Sequence, residues 1–241
     1  GALQARRYMY KYGITREQLA KVVVKNLFNA RLNSVAHRSG EYTVAAVMSS
    51  PMLASPLHVL DVAPDTDGAV AMILASEKRA REITDKPVWI KGMGVCYDAH
   101  YPGDRDLAGT LALEKAAAQA YGMAGLKKPR RDIDLVELGD EFSYQELLWL
   151  EGLGLCDRGE AGRMIDSGVT ALKGKMPVNP SGGLLGGVPA NVAGLNRVAE
   201  TVLQLRGEAG DHQVKDPRIA LAQGHSGFCG QHQCVIVLGN E

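Results

Sequence analysis

Residues 178–194 read VNPSGGLLGGVPANVAG, with five glycines among 17 positions and Asn179, Pro180 and Ser181 at the front. Glycines so dense let backbone N–H groups approach a bound group closely, because no Cβ stands in the way. The run enters a helix at Val188, Pro189 and Ala190, with proline near the first turn, where its missing N–H costs little. That helix extends to about Arg206. A loop feeding a helix N-terminus favours a negative charge such as a thioester oxyanion or a phosphate. The same pattern also serves as a plain turn that lets a helix pack against a sheet.

At 241 residues the chain is long enough for one large α/β domain or one and a half smaller ones. Lys plus Arg balances Asp plus Glu at 27 each, so no charge excess argues for nucleic acid or an anionic membrane. Only 3 Phe and 2 Trp are present, with no basic run between them, which weakens single-strand binding further. No apolar run is long enough to span a bilayer. Cys96, Cys156, Cys229 and Cys234 are too few and too scattered for a secreted disulfide scaffold, so a reducing cytoplasm is the expected compartment. The chain opens GALQARRYMYKYG, already inside a helical pattern and with no signal-like layout, and so reads like a chain beginning in mid-protein.

Residues 2–12 are expected to be helical, ended by Gly13 at C′. Thr15 and Gln18 form a capping box for a second helix that carries Leu19, Val22, Val23 and Leu27 on one face. Residues 34–64 are broken by prolines and read as a loop excursion. Residues 69–75 (AVAMILA) are expected to be a short buried strand, followed by a helix over 76–83. A strand opening at 88–92, a helix over 107–124, a strand at 135–138 and a helix over 144–152 follow. A polar stretch then runs to Lys175. After the glycine loop and its helix, strands at 218–223 and 233–238 are joined by a turn of about nine residues. This order makes an α/β layered domain.

Several long segments carry a specific resemblance in the right order. They are YMYKYGITREQLAKVVVKN, LHVLDVAPDTDGAVAMILASEKRA, ELGDEFSYQELLWLEGLGLC and VNPSGGLLGGVPANVAGLNRVAETVLQLRGEAG, with the closing strand pair. Together they resemble the thiolase superfamily, nearest to its branch of sterol-carrier-protein and lipid-transfer thiolases. The resemblance implies two similar βαβαβαββ halves in α-β-α-β-α layers, usually dimeric. Residues 1–86 would be the end of the first half with its loop excursion, and 87–241 the complete second half. The nucleophilic cysteine would lie upstream of Gly1, since none of the four cysteines sits in a matching context. Acyl-CoA is the implied substrate, coenzyme A the co-substrate, and no covalently bound cofactor or metal is expected. Divergent members of this branch work with a small zinc-ribbon/OB-fold companion that holds the acyl-CoA, which makes such a partner an expectation here.

The departures matter as much as the matches. Family members read His-Asp-Cys-Phe or Asn-Glu-Ala-Phe where this chain has Gly139, Asp140, Glu141 and Phe142, so Gly139 replaces the oxyanion-hole side chain. They read Gly-His-Pro where this chain has Gly187, Val188 and Pro189, one residue shorter. The family's second catalytic cysteine falls at or near His225.

Carbon–carbon cleavage of a 3-oxoacyl-CoA needs an attacking thiolate, a stabilised oxyanion and a proton for the leaving enolate. His225 suits the acid/base role, with Cys229 the alternative, and either residue also fits a plain turn. Asp140 and Glu141 follow a strand end, where sheet enzymes place reactive groups, although helix-N-terminal charges look the same. Tyr144 is an acid/base candidate for retro-aldol chemistry and otherwise a core residue. Asn179, Ser181, Gly182, Gly183, Val188 and Gly230 are the expected substrate and CoA contacts, with N–H groups near Gly182, Gly183 and Gly230 as replacement oxyanion donors. His225, Cys229, His232 and Cys234 do not follow a standard zinc spacing. The readings to weigh are a thiolase for a bulky 3-oxoacyl-CoA (aromatic, dicarboxylic or sterol side chain), a retro-aldol lyase, and a non-catalytic acyl-CoA-binding subunit.

Overall fold

The structure, a computed structural model, describes residues 1–187 and 190–241. Its centre is a mixed four-stranded sheet in the order β3-β6-β5-β4. The strands are β3 (Trp89–Tyr97), β4 (Leu135–Leu138), β5 (Ile219–Ser226) and β6 (His232–Gly239). β3 and β6 are antiparallel, as are β6 and β5, whereas β4 runs parallel to β5. A parallel bridge from Val136 to Val178 adds a further edge at the entry to the glycine loop.

Helices cover both faces. α5 (Leu111–Ala124) lies across β3 and β6, and α9 (Ala193–Arg206) lies across β5 and β4. α7 (Ser143–Gly152) is buried at all ten positions, because α2 (Arg16–Ala30), α5 and α8 (Ala161–Asp166) pack around it. α1 (Ala2–Tyr12) also docks on α7 and ends at Gly13 in the left-handed conformation. α2 carries the expected capping box, with the Gln18 N–H donating to Thr15 Oγ1 and the Thr15 N–H to Gln18 Oε1. One apolar core joins α1, α2, α5, α7 and the sheet; a smaller one lies beneath α9. The remaining elements are short: α3 (Val44–Ser49), the β1–β2 hairpin (Met52–Ala54, Leu57–His58), α4 (Glu77–Ile83) and α6 (Pro129–Asp132).

Four expectations need correction. Residues 69–75 form no strand: no described strand lies beside them, and Ile73 and Leu74 are 93% and 75% exposed. An apolar run alone does not make a strand without a neighbour to pair with. α5 begins at Leu111 because Asp106 holds the preceding residues in a turn, accepting from the Ala108 N–H and the Gly109 N–H. The turn between β5 and β6 spans only residues 227–231, since pairing continues through His225–Gln233 and Ser226–His232. The polar stretch before Lys175 contains α8. No described helix is long and apolar enough to cross a membrane.

Candidate functional site

The glycine loop is tied down from the sheet side. Asn179 turns the chain at φ 50°, and its buried side chain accepts from the Leu138 N–H (2.8 Å) while donating to Glu146 Oε2 (3.2 Å). Ser181 donates through its N–H to Glu137 Oε1 (2.9 Å) and through Oγ to Glu137 Oε2 (2.8 Å). Arg197, from α9, donates to the same Glu137 carboxylate and to Ser181 Oγ. Gly182 and Gly183 have φ of 98° and 64°, and a Cβ on Gly182 would come within 2.6 Å of Ala30 Cβ. Only glycine meets both demands there.

In this arrangement the N–H groups of Gly182, Gly183 and Gly230 themselves are engaged within the protein. The Gly182 N–H goes to Asn179 O (2.9 Å), that of Gly183 to Ser181 Oγ (3.3 Å), and that of Gly230 to Gly227 O (3.3 Å). One loop donor serves the protein's own carboxyl group: the Leu184 N–H donates to Asp140 Oδ1 at 2.6 Å. Asn26 Nδ2 bridges Asp140 Oδ2 (2.7 Å) and Glu146 Oε2 (2.8 Å), and Lys25 Nζ lies 3.0 Å from Glu146 Oε1. Burial, with the Glu146 charge beside it, pushes the Asp140 carboxyl up to about 8. Asn179, Ser181, Gly182, Gly183 and Asp140 thus shape the loop through internal bonds. Val188 lies outside the described residues.

Above this layer the 139–142 turn meets the β5–β6 turn. Gly139 O accepts from Trp149 Nε1 (2.9 Å) and from His225 Nε2 (3.1 Å). The Gly139 N–H donates to Gln223 Oε1 (2.9 Å), Gln223 Nε2 to Gln233 Oε1 (2.8 Å), and Gln233 Nε2 to Gly230 O (2.9 Å). The imidazole of His225 packs on the Trp149 ring with centroids 5.3 Å apart. Burial lowers its pKa, against a raising effect of the Glu141 charge, so the ring is neutral near pH 7. Its Nδ1 is buried with no hydrogen-bond partner among the described residues.

Glu141 is exposed, the opposite of its neighbour Asp140. Tyr144 is fully buried and donates to Gln4 Oε1 (2.8 Å); burial holds its proton far above the ordinary phenol range, aided by Cys229 and Glu141. With that proton committed to Gln4, Tyr144 is a poorer acid than its position suggested. Gln4 Nε2 continues to Cys229 O at 3.3 Å. Cys229 itself is half-buried, with φ 57°. The structure therefore gathers His225, Cys229, Glu141, Tyr144 and Gly230 near one turn and sets Asp140, Asn179 and Ser181 beneath it. Burial pushes the Cys156 thiol up to about 12 and raises that of Cys234, so neither resembles an activated nucleophile. Among the described residues, no group of three or more His, Cys, Asp or Glu is arranged to hold a metal.

Sequence reasoning missed Trp149, Gln223, Gln233, Gln4, Asn26, Glu146 and the Glu137–Arg197 pair. Gln223 and Gln233 interrupt apolar strands at inward-facing positions, a pattern that marks a buried polar network.

A family profile described as "Thiolase C-terminal domain-like" matches residues 95–240. The chain is 45% identical over 231 residues to an acetyl-CoA acetyltransferase of Methanothermobacter thermautotrophicus, covering 95% of this chain and 60% of that protein. It is 35% identical over 231 residues to benzoylsuccinyl-CoA thiolase subunit BbsB of Thauera aromatica, again 95% and 60%. Among solved structures, an "Ltp2-ChsH2(DUF35) aldolase" superposes with a TM-score of 0.89 at 30% identity, covering 99% of this chain and 62% of that one. The chain thus spans about three-fifths of the length of each of these relatives. With long identity across nearly all its residues and a profile match over more than half of them, the chain belongs to the thiolase superfamily, in its sterol-carrier-protein-like branch.

Proposed function

We propose that this chain supplies the acid/base side of an enzyme that cleaves or forms a carbon–carbon bond in a bulky 3-oxoacyl-CoA, with coenzyme A as co-substrate. The observation that carries this reading is the buried Nδ1 of a neutral His225, without a partner among the described residues, at the end of β5. A neutral imidazole can take a proton from a thiol or return one to a leaving enolate. Cys229, in the turn that follows β5, is the alternative group. Glu141 places negative charge near His225, which favours the imidazolium formed in mid-reaction. Asn179, Ser181, Gly182 and Gly183 serve as the scaffold beneath substrate. Because none of the four cysteines sits in a context matching the family's nucleophile, the attacking thiolate belongs to the first thiolase half, of which residues 1–86 are the end, while residues 87–241 are the second half. Similarity to a thiolase subunit named for benzoylsuccinyl-CoA supports a bulky acyl group. That subunit name and the two-component title of the aldolase support a second polypeptide beside this one; in this reading it is a small acyl-CoA-binding companion of a thiolase-type dimer.

The second reading is a retro-aldol lyase acting on a β-hydroxyacyl-CoA. The 0.89 TM-score to an aldolase favours it, as does the glycine at position 139. One assay separates the two. The natural protein with its co-purifying partners is given 3-oxoacyl-CoA esters with and without free CoA, and β-hydroxyacyl-CoA esters likewise. Cleavage that requires CoA establishes the thiolase; cleavage of the hydroxy ester without CoA establishes the lyase. Acyl-CoA retention with neither reaction would leave a non-catalytic subunit.

A further inference from the structure

Gly139 sits where a side chain would meet the His225 ring. An ideal Cβ on Gly139 would lie 3.0 Å from Cδ2 and 3.2 Å from Nε2 of His225. Those separations are tight enough that the ring would have to shift. Gly139 is not among the residues with positive φ, so glycine is needed there for space and not for backbone freedom.

The Gly139 carbonyl does the second half of the work. A carbonyl oxygen only accepts and an indole N–H only donates, so Trp149 Nε1 at 2.9 Å and His225 Nε2 at 3.1 Å both bring protons to it. In a neutral ring with its proton on Nε2, Nδ1 carries the lone pair. This is the nitrogen that is buried without a partner among the described residues. The peptide at 139 is also held from its other side. Its N–H requires Gln223 to present an oxygen, which makes Gln223 Nε2 the donor to Gln233 and Gln233 Nε2 the donor to Gly230 O. Backbone groups at both ends thus fix the orientation of both amides.

We propose that Gly139 and Trp149 are positioning residues for His225: the missing side chain admits the imidazole, and the shared carbonyl locks it with the proton on Nε2, leaving Nδ1 as the working base. The consequence for catalysis rests on the acid/base reading of His225, whereas ring position and tautomer stand independently of it.

The test begins with long-range 15N–1H NMR of the natural protein labelled at histidine. The expected spectrum for His225, assigned by its loss in His225→Gln, shows protonated Nε2 and bare Nδ1 at pH 7. A proton on Nδ1, or an imidazolium at pH 7, overturns the proposal. Gly139→Ala, which makes the ring give by a few tenths of an ångström, should disturb that signature and lower kcat about 3- to 5-fold with KM changed little, the share expected if a misplacement of about 1 Å costs about 10²-fold. Retention of the wild-type signature in a folded Gly139→Ala protein also overturns it. Trp149→Phe, which keeps the ring but not the donor, should let the two tautomers mix; an unmixed signature removes Trp149 from the proposal's positioning pair. If the tautomer is as expected but His225→Gln keeps full kcat, the positioning stands and the acid/base role falls.

Discussion

Asp140 and Glu141 are adjacent in sequence and opposite in surroundings. Asp140 faces inward onto Asn26 and the Leu184 N–H, whereas Glu141 is exposed beside the His225 turn. Burial first, and the Glu146 charge second, raise the Asp140 pKa in the folded state to about 8, against about 4 in an unfolded chain. The folded state therefore binds more protons between those values. The stabilisation linked to this group is full below about pH 4 and is lost as pH rises through about 8. Asp140→Asn has no such titration. Denaturant midpoints between pH 5 and 9 should show wild type losing stability relative to Asp140→Asn as pH rises. A constant gap would mean that Asp140 is ionised throughout. At His225 the opposite shift operates: burial keeps the ring neutral, so a kcat that depends on an unprotonated His225 should fall only below its lowered pKa. His225→Gln, which can still donate to Gly139 O, should lose about 10²-fold or more in kcat while leaving the thermal midpoint nearly unchanged.

Between elements, the buried Arg197–Glu137 pair clamps α9 to β4, with Ser181 of the loop held in the same clasp. Removing one partner strands the other charge in the core. Arg197→Met should cost about 3–5 kcal/mol in chemical unfolding, and adding Glu137→Gln should recover part of that loss. No recovery would show that packing by the Arg197 stem, not charge, is what matters. The contrast with α2 explains what the sequence could reveal. Its capping box is a contact over three residues and the left-handed stop at Gly13 one over four, and both were legible. Thr15→Ala should therefore cost about 1 kcal/mol. Ser181 meets Glu137 across 44 positions, and Asn26 meets Asp140 across 114, so no local pattern announced that the loop's polar groups were already taken. The His225 turn was legible as a place; the glycine that admits its ring was legible only as a missing side chain.

Across the whole molecule, order is distributed unevenly. α7 and the β5–β6 pair lie within the core, with Trp149, Val235 and Val237 essentially inaccessible. At the other extreme, residues 69–75 run without a described strand partner, and α4 has no buried residue at all. Local opening follows buried contact, so these regions should differ widely in stability even though one chain carries both. The apolar run that reads as a buried strand, AVAMILA, is the sharpest case: its composition suits an interior, yet Ile73 is 93% exposed. Hydrogen exchange on the 241-residue chain should find amides of residues 69–83 exchanging at near-intrinsic rates, while those of α7, β5 and β6 exchange only through the rarest openings. Repeating the measurement on the protein as purified from its source, with whatever co-purifies, tests whether that run is a strand in waiting. Slow exchange over 69–75 there, and fast exchange in the isolated 241-residue chain, would mean that a pairing surface outside these residues completes the sheet. Fast exchange in both would mean that the hydrophobic pattern is not read as a strand in any setting.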